Sequence, residues 1–172
     1  SMNDVIKTIA ARRSIRNYTA QPVSPEQLDI LLQCAINAPS ARNLQPRYFT
    51  VLERPDEIQE LADGIARSRG MERPLHNAPT VIVISGATDS SWAVTDCSLS
   101  AQNIMLAAES LGLGTCFIGC GTPFWNSPEG DAFADKIQVP KGYHPLFAMT
   151  VGYPAESPES TPRNQDVISI RA

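Results

Sequence analysis

Three arginines and a serine lie close together near the start of the chain, in ARRSIRNY at residues 11–18. Arg12, Arg13 and Arg16 carry forked donors that match phosphate or carboxylate oxygens, and Ser14 adds a hydroxyl beside them. Because the chain has a net charge of −4, the cluster is local and favours a small anion over a polyanion. A solvated face, or ion pairs with Asp and Glu elsewhere in the chain, is the alternative that these residues leave open.

A second polar stretch, APSARNLQPRYF at residues 38–49, separates a predicted helix from a predicted strand. Asn43 and Gln45 carry amides that both donate and accept, so they suit the edge of a heterocycle. Pro39 and Ser40 equally suit helix termination and turn capping, so this plainer interpretation stays open. The chain has no G-x-G-x-x-G and no Walker loop, so a nucleotide would need side-chain donors rather than a Rossmann loop.

The composition is that of an ordinary globular chain. Of 172 residues, 42% are hydrophobic and 19% charged, which is enough for one domain with a sizeable core. The acidic balance argues against a nucleic-acid partner, and neither a membrane span nor a signal peptide is predicted. Four cysteines and two histidines lack the spacing of a zinc or iron–sulfur site, so we expect no metal and reduced thiols in a cytoplasmic protein.

Hydrophobic periodicity predicts the elements that must position these residues. Ser24, Pro25 and Gln27 have the spacing of a capped helix start. The stretch TVIVIS at 80–85 is β-branched on both faces and predicts a buried central strand. The helix predicted at 92–112 is apolar nearly all round, which indicates a core or a subunit interface. Further helices are predicted at 3–12, 24–38, 56–69 and 130–138, and further strands at 48–53, 115–119 and 146–153.

This order of elements predicts an α+β or α/β fold in one domain, residues 1–172. Residues 154–172 are rich in proline and serine and are predicted to form an extended C-terminal arm that regains strand character at 167–170. A small sheet beside such an apolar helix would leave much apolar surface exposed on a monomer. We therefore expect a dimer.

The stretches RRSIRNY and APSARNLQPRYF, in this order and spacing, resemble two signatures of the FMN-dependent nitroreductase superfamily. Residues 77–86, 96–119 and 145–156 also match its pattern, so the resemblance covers nearly the whole chain, at the length of the short members. It implies a three-layer α/β/α sandwich with a small mixed, mainly antiparallel sheet. It also implies an intertwined homodimer with FMN at the subunit interface, where the helix at 92–112 would lie.

The resemblance implies roles for the arginines. Arg12, Arg13 and Ser14 would hold the phosphate and ribityl chain of FMN. Arg16 would lie near the pyrimidine end of the ring, where a cation stabilises the reduced, anionic flavin. Arg163, in a tail looser than the family's usual pattern, matches a C-terminal phosphate-binding arginine.

The ring itself would lie between two other segments. Ile118 and Gly119 would offer backbone N–H groups near the flavin N5 and O4. By the same resemblance, five residues would come from the partner subunit: Pro39, Ser40, Ala41, Asn43 and Gln45.

The chain departs from the family around the substrate. Residue 47 is Arg where many members carry an aromatic residue, which places Arg47 on the predicted substrate face. The segment 120–144 has no familiar signature and is predicted to include a lid over the flavin. Phe124 and Trp125 are candidate stacking residues within it, with simple packing as the alternative.

The implied function is a flavin oxidoreductase with a ping-pong mechanism. NADH or NADPH would deliver a hydride and leave, and a nitroaromatic, a quinone or a similar electron-poor acceptor would replace it. The flavin carries the chemistry, so no side chain is predicted to be catalytic. The alternatives are a non-enzymatic flavin-binding or storage protein, another flavin reaction such as dehalogenation or flavin destruction, and a plain interaction domain.

Overall fold

The computed structural model describes residues 2–172, in which a four-stranded sheet lies between two layers of helices. The strands are β1 (Arg47–Leu52), β2 (Thr80–Ala87), β3 (Gly114–Ile118) and β4 (Tyr143–Gly152). The helices are α1 (Asp4–Ala11), α2 (Pro25–Ile36), α3 (Pro55–Arg69), α4 (Ala93–Ser110), α5 (Thr122–Trp125) and α6 (Pro128–Lys136). A short 3₁₀ turn, Ala41–Asn43, lies between α2 and β1.

The predicted helices and strands before residue 154 are confirmed, with their ends displaced by no more than three residues. The capped start of α2 is also confirmed, since the Ser24 hydroxyl accepts from Gln27 N–H and the Gln27 side chain accepts from Ser24 N–H. Periodicity missed α5, because four residues make only one turn. The strand predicted at 167–170 is wrong: Val167, Ile168 and Ile170 lie exposed in a tail with no sheet edge beside it.

The sheet has the order β1-β2-β4-β3, so β2 and β4 are central and the other two strands form its edges. All three strand pairs are antiparallel. The parallel component of the expected mixed sheet is a single bridge between Ser14 and Thr115, which attaches the N-terminal segment to β3. The buried central strand predicted at 80–85 is confirmed as β2, which is buried from Thr80 to Gly86.

The two faces of β2 belong to two separate cores. Val81 and Val83 pack with α3, α5 and α6 on one face. Ile82 and Ile84 pack with α2 and α4 on the other. Because successive strand residues point to opposite faces, one apolar run serves both cores. The result is the three-layer α/β/α sandwich that the resemblance implied.

Phe124 and Trp125 belong to the first of these cores and do not line an open site. Each is 1% exposed, and their rings lie 5.2 Å apart in an edge-on arrangement. α6 approaches so closely that a Cβ on Gly130 would lie 1.9 Å from the Phe124 carbonyl oxygen. The prediction that these aromatics stack on a substrate is therefore wrong for this protomer, because their faces are already used in packing.

Cys97 gives the stability of the fold a dependence on alkaline pH. Its buried thiol lies 3.7 Å from the Ser85 carbonyl oxygen, and burial raises its pKa from 9.0 to about 12. The unfolded chain therefore loses this thiol proton above pH 9 while the folded chain keeps it, so stability falls as the pH rises from 9 to 12. We expect the thiol to cost about 1 kcal/mol of unfolding free energy between pH 8 and pH 10.

Urea unfolding at both pH values, with Cys97→Ala as the matched variant, measures this contribution. The variant lacks the titrating group and should lose correspondingly less stability between the two pH values. An equal loss in both proteins would contradict the assignment.

None of the helices in residues 2–172 has both the length and the apolar character needed to cross a bilayer.

Candidate functional site

The arginine cluster lines one cavity of about 260 Å³ at the end of α1. Arg12, Arg13, Ser14 and Arg16 come from the N-terminal segment, and Arg163 joins them from the C-terminal arm. The structure thus brings together Arg163 and the N-terminal residues that were predicted to hold one phosphate, and it adds Arg16, which was predicted to lie near the flavin ring. Three further residues of the arm complete the lining: Pro158, Glu159 and Thr161.

The end of α1 and the edge of the sheet position this cluster. α1 ends at Ala11, and the Arg13 guanidinium donates to the carbonyl oxygens of Ala10 and Arg12 at 2.9 and 2.8 Å. The chain then runs beside β3, where Ile15 N–H donates to the Thr115 carbonyl at 2.8 Å. Extended backbone alternates its side chains, so the flanking residues of the buried Ile15 face outward.

Four arginines and one acidic residue, Glu159, line the cavity, so its lining is predominantly basic. The ion pairs within residues 2–172 are Arg54–Asp56, Arg67–Glu129 and Lys136–Glu60, so the cavity arginines take no part in one. The alternative of internal ion pairs therefore fails for the described chain. Guanidinium and hydroxyl groups that converge on one cavity suit a phosphate.

The tail is held against the same segment by main-chain and carboxylate contacts. Glu156 accepts from the Arg16 backbone N–H at 2.6 Å, and Ala155 N–H donates to the Asn17 carbonyl at 2.8 Å. Arg163 donates to the carbonyl and hydroxyl oxygens of Thr161 at 3.0 and 2.7 Å. The arm that carries Arg163 therefore begins from a fixed point beside the arginine cluster.

The polar turn after α2 adopts a strained backbone. Arg42, Asn43 and Gln45 have φ values of 50°, 55° and 53°, a region that non-glycine residues rarely occupy. The Ser40 hydroxyl accepts from Gln45 N–H at 3.0 Å and stabilises the turn from within. Left-handed backbone at three of four successive exposed positions stores strain of the kind that clusters at functional sites.

Within one protomer the turn does not line the arginine cavity. Instead, Arg42 and Gln45 line a separate cavity of about 390 Å³ together with Trp92 and Tyr143. The implied arrangement, in which Pro39, Ser40, Ala41, Asn43 and Gln45 act on the partner's cofactor, is compatible with this separation and stays a prediction.

Arg47 does not occupy a substrate-facing surface. It is 8% exposed, and its guanidinium donates to the carbonyl oxygens of Ala38, Pro39 and Asp96 at 2.9, 3.2 and 3.0 Å. The prediction for Arg47 is therefore wrong in this protomer, because the side chain points inward and binds main-chain carbonyls after α2 and within α4. Its donors hold the start of the strained turn.

Ile118 and Gly119 lie at the carboxyl end of β3, the strand that also holds Ser14 through Thr115. Ile118 is 4% exposed, whereas Gly119 is exposed at the start of the loop to α5. One edge strand thus carries contacts to the arginine cavity and to the position predicted for the flavin ring.

Asp96 and His76 were missed in the sequence. Asp96 is 2% exposed, and both carboxylate oxygens lie 3.3 Å from the Ala41 nitrogen. Its signal was present: it is one of two charged residues in an otherwise neutral α4. Burial lowers the pKa of His76, as do the charges of Arg16 and Arg73, which favours a neutral imidazole beside the arginine cluster.

The fold is thus an antiparallel sheet between two helical layers, with an arginine-lined cavity at one edge. A model of the nitroreductase family matches residues 9–68 and 66–153. The chain belongs to the nitroreductase family.

Two solved structures of bacterial nitroreductases with bound FMN share this fold. The protein from Bacteroides fragilis superposes with a TM-score of 0.92 at 27% identity, over 99% of this chain and 100% of that one. The protein from Desulfitobacterium hafniense superposes with a TM-score of 0.91 at 28% identity, over 100% of both chains.

Relatives found by sequence comparison carry similar names. A putative NADH dehydrogenase/NAD(P)H nitroreductase of Methanothermobacter thermautotrophicus is 34% identical over 92% of this chain and 81% of its own. An FMN reductase [NAD(P)H] of Bacillus subtilis is 47% identical, but over 37% of this chain. The match spans 26% of that reductase and 45% of a related protein of Archaeoglobus fulgidus, less than half of each.

Proposed function

We propose that this protein is an FMN-dependent NAD(P)H oxidoreductase that reduces nitroaromatics, quinones or similar electron-poor acceptors. One observation carries the proposal: four arginine side chains and a serine from both ends of the chain converge on a single cavity. The FMN-bound family structures and the NAD(P)H-dependent names of relatives supply the cofactor and the electron donor.

The residues present fit a flavin mononucleotide. Arg12, Arg13, Ser14 and Arg163 would hold the phosphate and the start of the ribityl chain, since forked guanidinium donors match phosphate oxygens. Arg16 would lie toward the ring and offset its negative charge when reduced. Thr115, beside Ser14, and Ile118 are about 10 Å apart along β3, so this strand would extend from the phosphate toward the flavin ring.

The ring would be completed by a second copy of this chain. Five apolar side chains on α1 and α4 are exposed in one protomer and would be buried in a dimer interface: Val5, Ile6, Ile9, Val94 and Leu99. Val5 also lines an open groove of about 460 Å³ between α1, α2 and α4. A homodimer across this face would bury apolar surface and present the strained turn to the partner's cofactor.

The chemistry would follow a ping-pong order. When bound, FMN supplies the hydride acceptance and donation, while the protein binds and orients the reactants. The nicotinamide and the acceptor would use the same open face in turn, with no side chain required as acid or base. The four cysteines are free in the structure, which favours a reducing compartment such as the cytoplasm.

The test is turnover by the flavin-loaded protein. We expect a yellow protein that oxidises NADH or NADPH in steady state when menadione or nitrofurazone is added. Double-reciprocal plots of initial rate against donor concentration, taken at several acceptor concentrations, should give the parallel lines of a ping-pong mechanism. FMN binding without turnover would identify a flavin-binding or storage protein. Failure to retain FMN through gel filtration would refute the flavin proposal as a whole.

A further inference from the structure

Polar side chains from α4 and β1 bind the end of α2 and the turn that follows it. Ser100 donates to the Ala35 carbonyl at 2.7 Å, and Asn103 donates to the Cys34 carbonyl at 2.9 Å. Arg47 continues the series along the carbonyls of residues 38 and 39. We call these residues, together with Asp96, the turn clamp: Arg47, Asp96, Ser100 and Asn103.

Two members of the turn clamp are charged and buried, which is costly. Arg47 is 8% and Asp96 2% exposed, and these two charges are separated by more than an ion-pair distance. Apolar residues of similar volume are often at least as stabilising as buried charges. The clamp therefore needs an explanation other than stability alone.

The explanation lies in where the clamp makes contact. Arg47 binds Ala38 just before the turn 39–45, Pro39 at its first residue and the main chain of α4, while Asp96 accepts from Ala41 N–H within the turn. The strained residues that follow, Arg42, Asn43 and Gln45, are exposed. Contacts at the base of the turn thus fix where its exposed amides project.

We propose that Arg47 and Asp96 are positioning residues, which hold the turn 39–45 in the geometry that binds the flavin of the partner subunit. This inference rests on the proposed function and deepens it. The two residues do not touch the cofactor; they set the place and orientation of Asn43 and Gln45. The same clamp ties the turn to α4, whose other face is the proposed dimer interface.

The experiment uses the full-length protein with Arg47→Gln, which removes the guanidinium donors to three carbonyls, and Asp96→Leu, which removes the acceptors of Ala41 N–H while keeping a similar side-chain volume. Arg54→Gln is the matched control, since Arg54 is an exposed arginine just beyond β1 whose contact is a surface ion pair with Asp56. Four quantities are measured: the dissociation constant for FMN, the visible circular dichroism of bound FMN, the melting temperature of the apoprotein and the oligomeric state.

We expect each clamp variant to raise the FMN dissociation constant by about tenfold or more and to alter the visible circular dichroism of bound FMN, well below its melting temperature. The control should retain wild-type values for both. Lower melting temperatures with wild-type affinity and circular dichroism would make the clamp purely structural and overturn the proposal.

The two proposals can fail separately. Wild-type protein that does not bind FMN refutes the proposed function, whereas wild-type binding with unaltered clamp variants refutes the positioning role alone. Should Arg47→Gln fail to fold, Asp96→Leu decides, because it removes both acceptors of Ala41 N–H while keeping a similar side-chain volume.

Discussion

Replacing Arg12 and Arg13 together with alanine is expected to weaken FMN binding by more than about tenfold. Both side chains line the cavity that we propose for the phosphate, and each charge-assisted hydrogen bond contributes about 1.5–3 kcal/mol. The fold should survive, because neither side chain belongs to a core. Titration of the apoprotein with FMN, followed by flavin fluorescence, measures the change.

The matched control is the double variant Arg67→Ala and Arg69→Ala. Arg67 and Arg69 are exposed, whereas Arg12 and Arg13 are half-buried; removing either pair changes the net charge equally, and neither Arg67 nor Arg69 lines the cavity. Loss of the Arg67–Glu129 surface pair costs little, since such pairs contribute about 0–1 kcal/mol. Equal affinity of the Arg12/Arg13 variant and wild type would place the phosphate elsewhere.

Phe124→Ala is expected to lower the free energy of unfolding by about 3–5 kcal/mol. Its ring is 1% exposed and packs between Trp125 and Phe133, with centroids at 5.2 and 6.1 Å. α3 and α6 both close over it, so little collapse can fill the cavity that the change creates. Urea or thermal unfolding of the apoprotein measures the loss.

Tyr48→Ala provides the comparison, since this aromatic lies on an edge strand and is 39% exposed. It should lose less than half as much stability. The milder Phe124→Leu separates packing from substrate binding: we expect a folded protein whose KM for the acceptor equals that of wild type. A raised KM at nearly wild-type stability would instead return Phe124 to the substrate site.

Local sequence patterns were sufficient to predict features that depend only on residues close together in the chain. Three such features are the capped start of α2, the buried strand β2 and the arginine cluster, because the residues that produce each of them lie within one short segment. The long-range meeting of Arg163 with the cluster came from the family resemblance, because an arginine in an exposed arm carries no local signal of its destination.

The errors concern residues whose role depends on tertiary contacts. Arg47 was placed on the substrate face because many family members carry an aromatic residue at this position, yet its guanidinium donates inward to carbonyls at residues 38, 39 and 96. Phe124 and Trp125 lie in a helix too short to show periodicity in the sequence. They are buried because α3 and α6 pack against them, which the sequence does not reveal. The apolar run at 167–170 has strand-forming residues but no edge to pair with in this protomer.

The proposed phosphate cavity is built from the two extremes of the described chain. The N-terminal arginines are synthesised first, but one wall consists of residues 158–163 of the arm. During translation the N-terminal arginines therefore stay solvated, without this wall, until residue 163 has left the ribosome. The complete cavity that we propose for the phosphate can therefore form only after residue 163 has been synthesised, when all four strands of the sheet already exist.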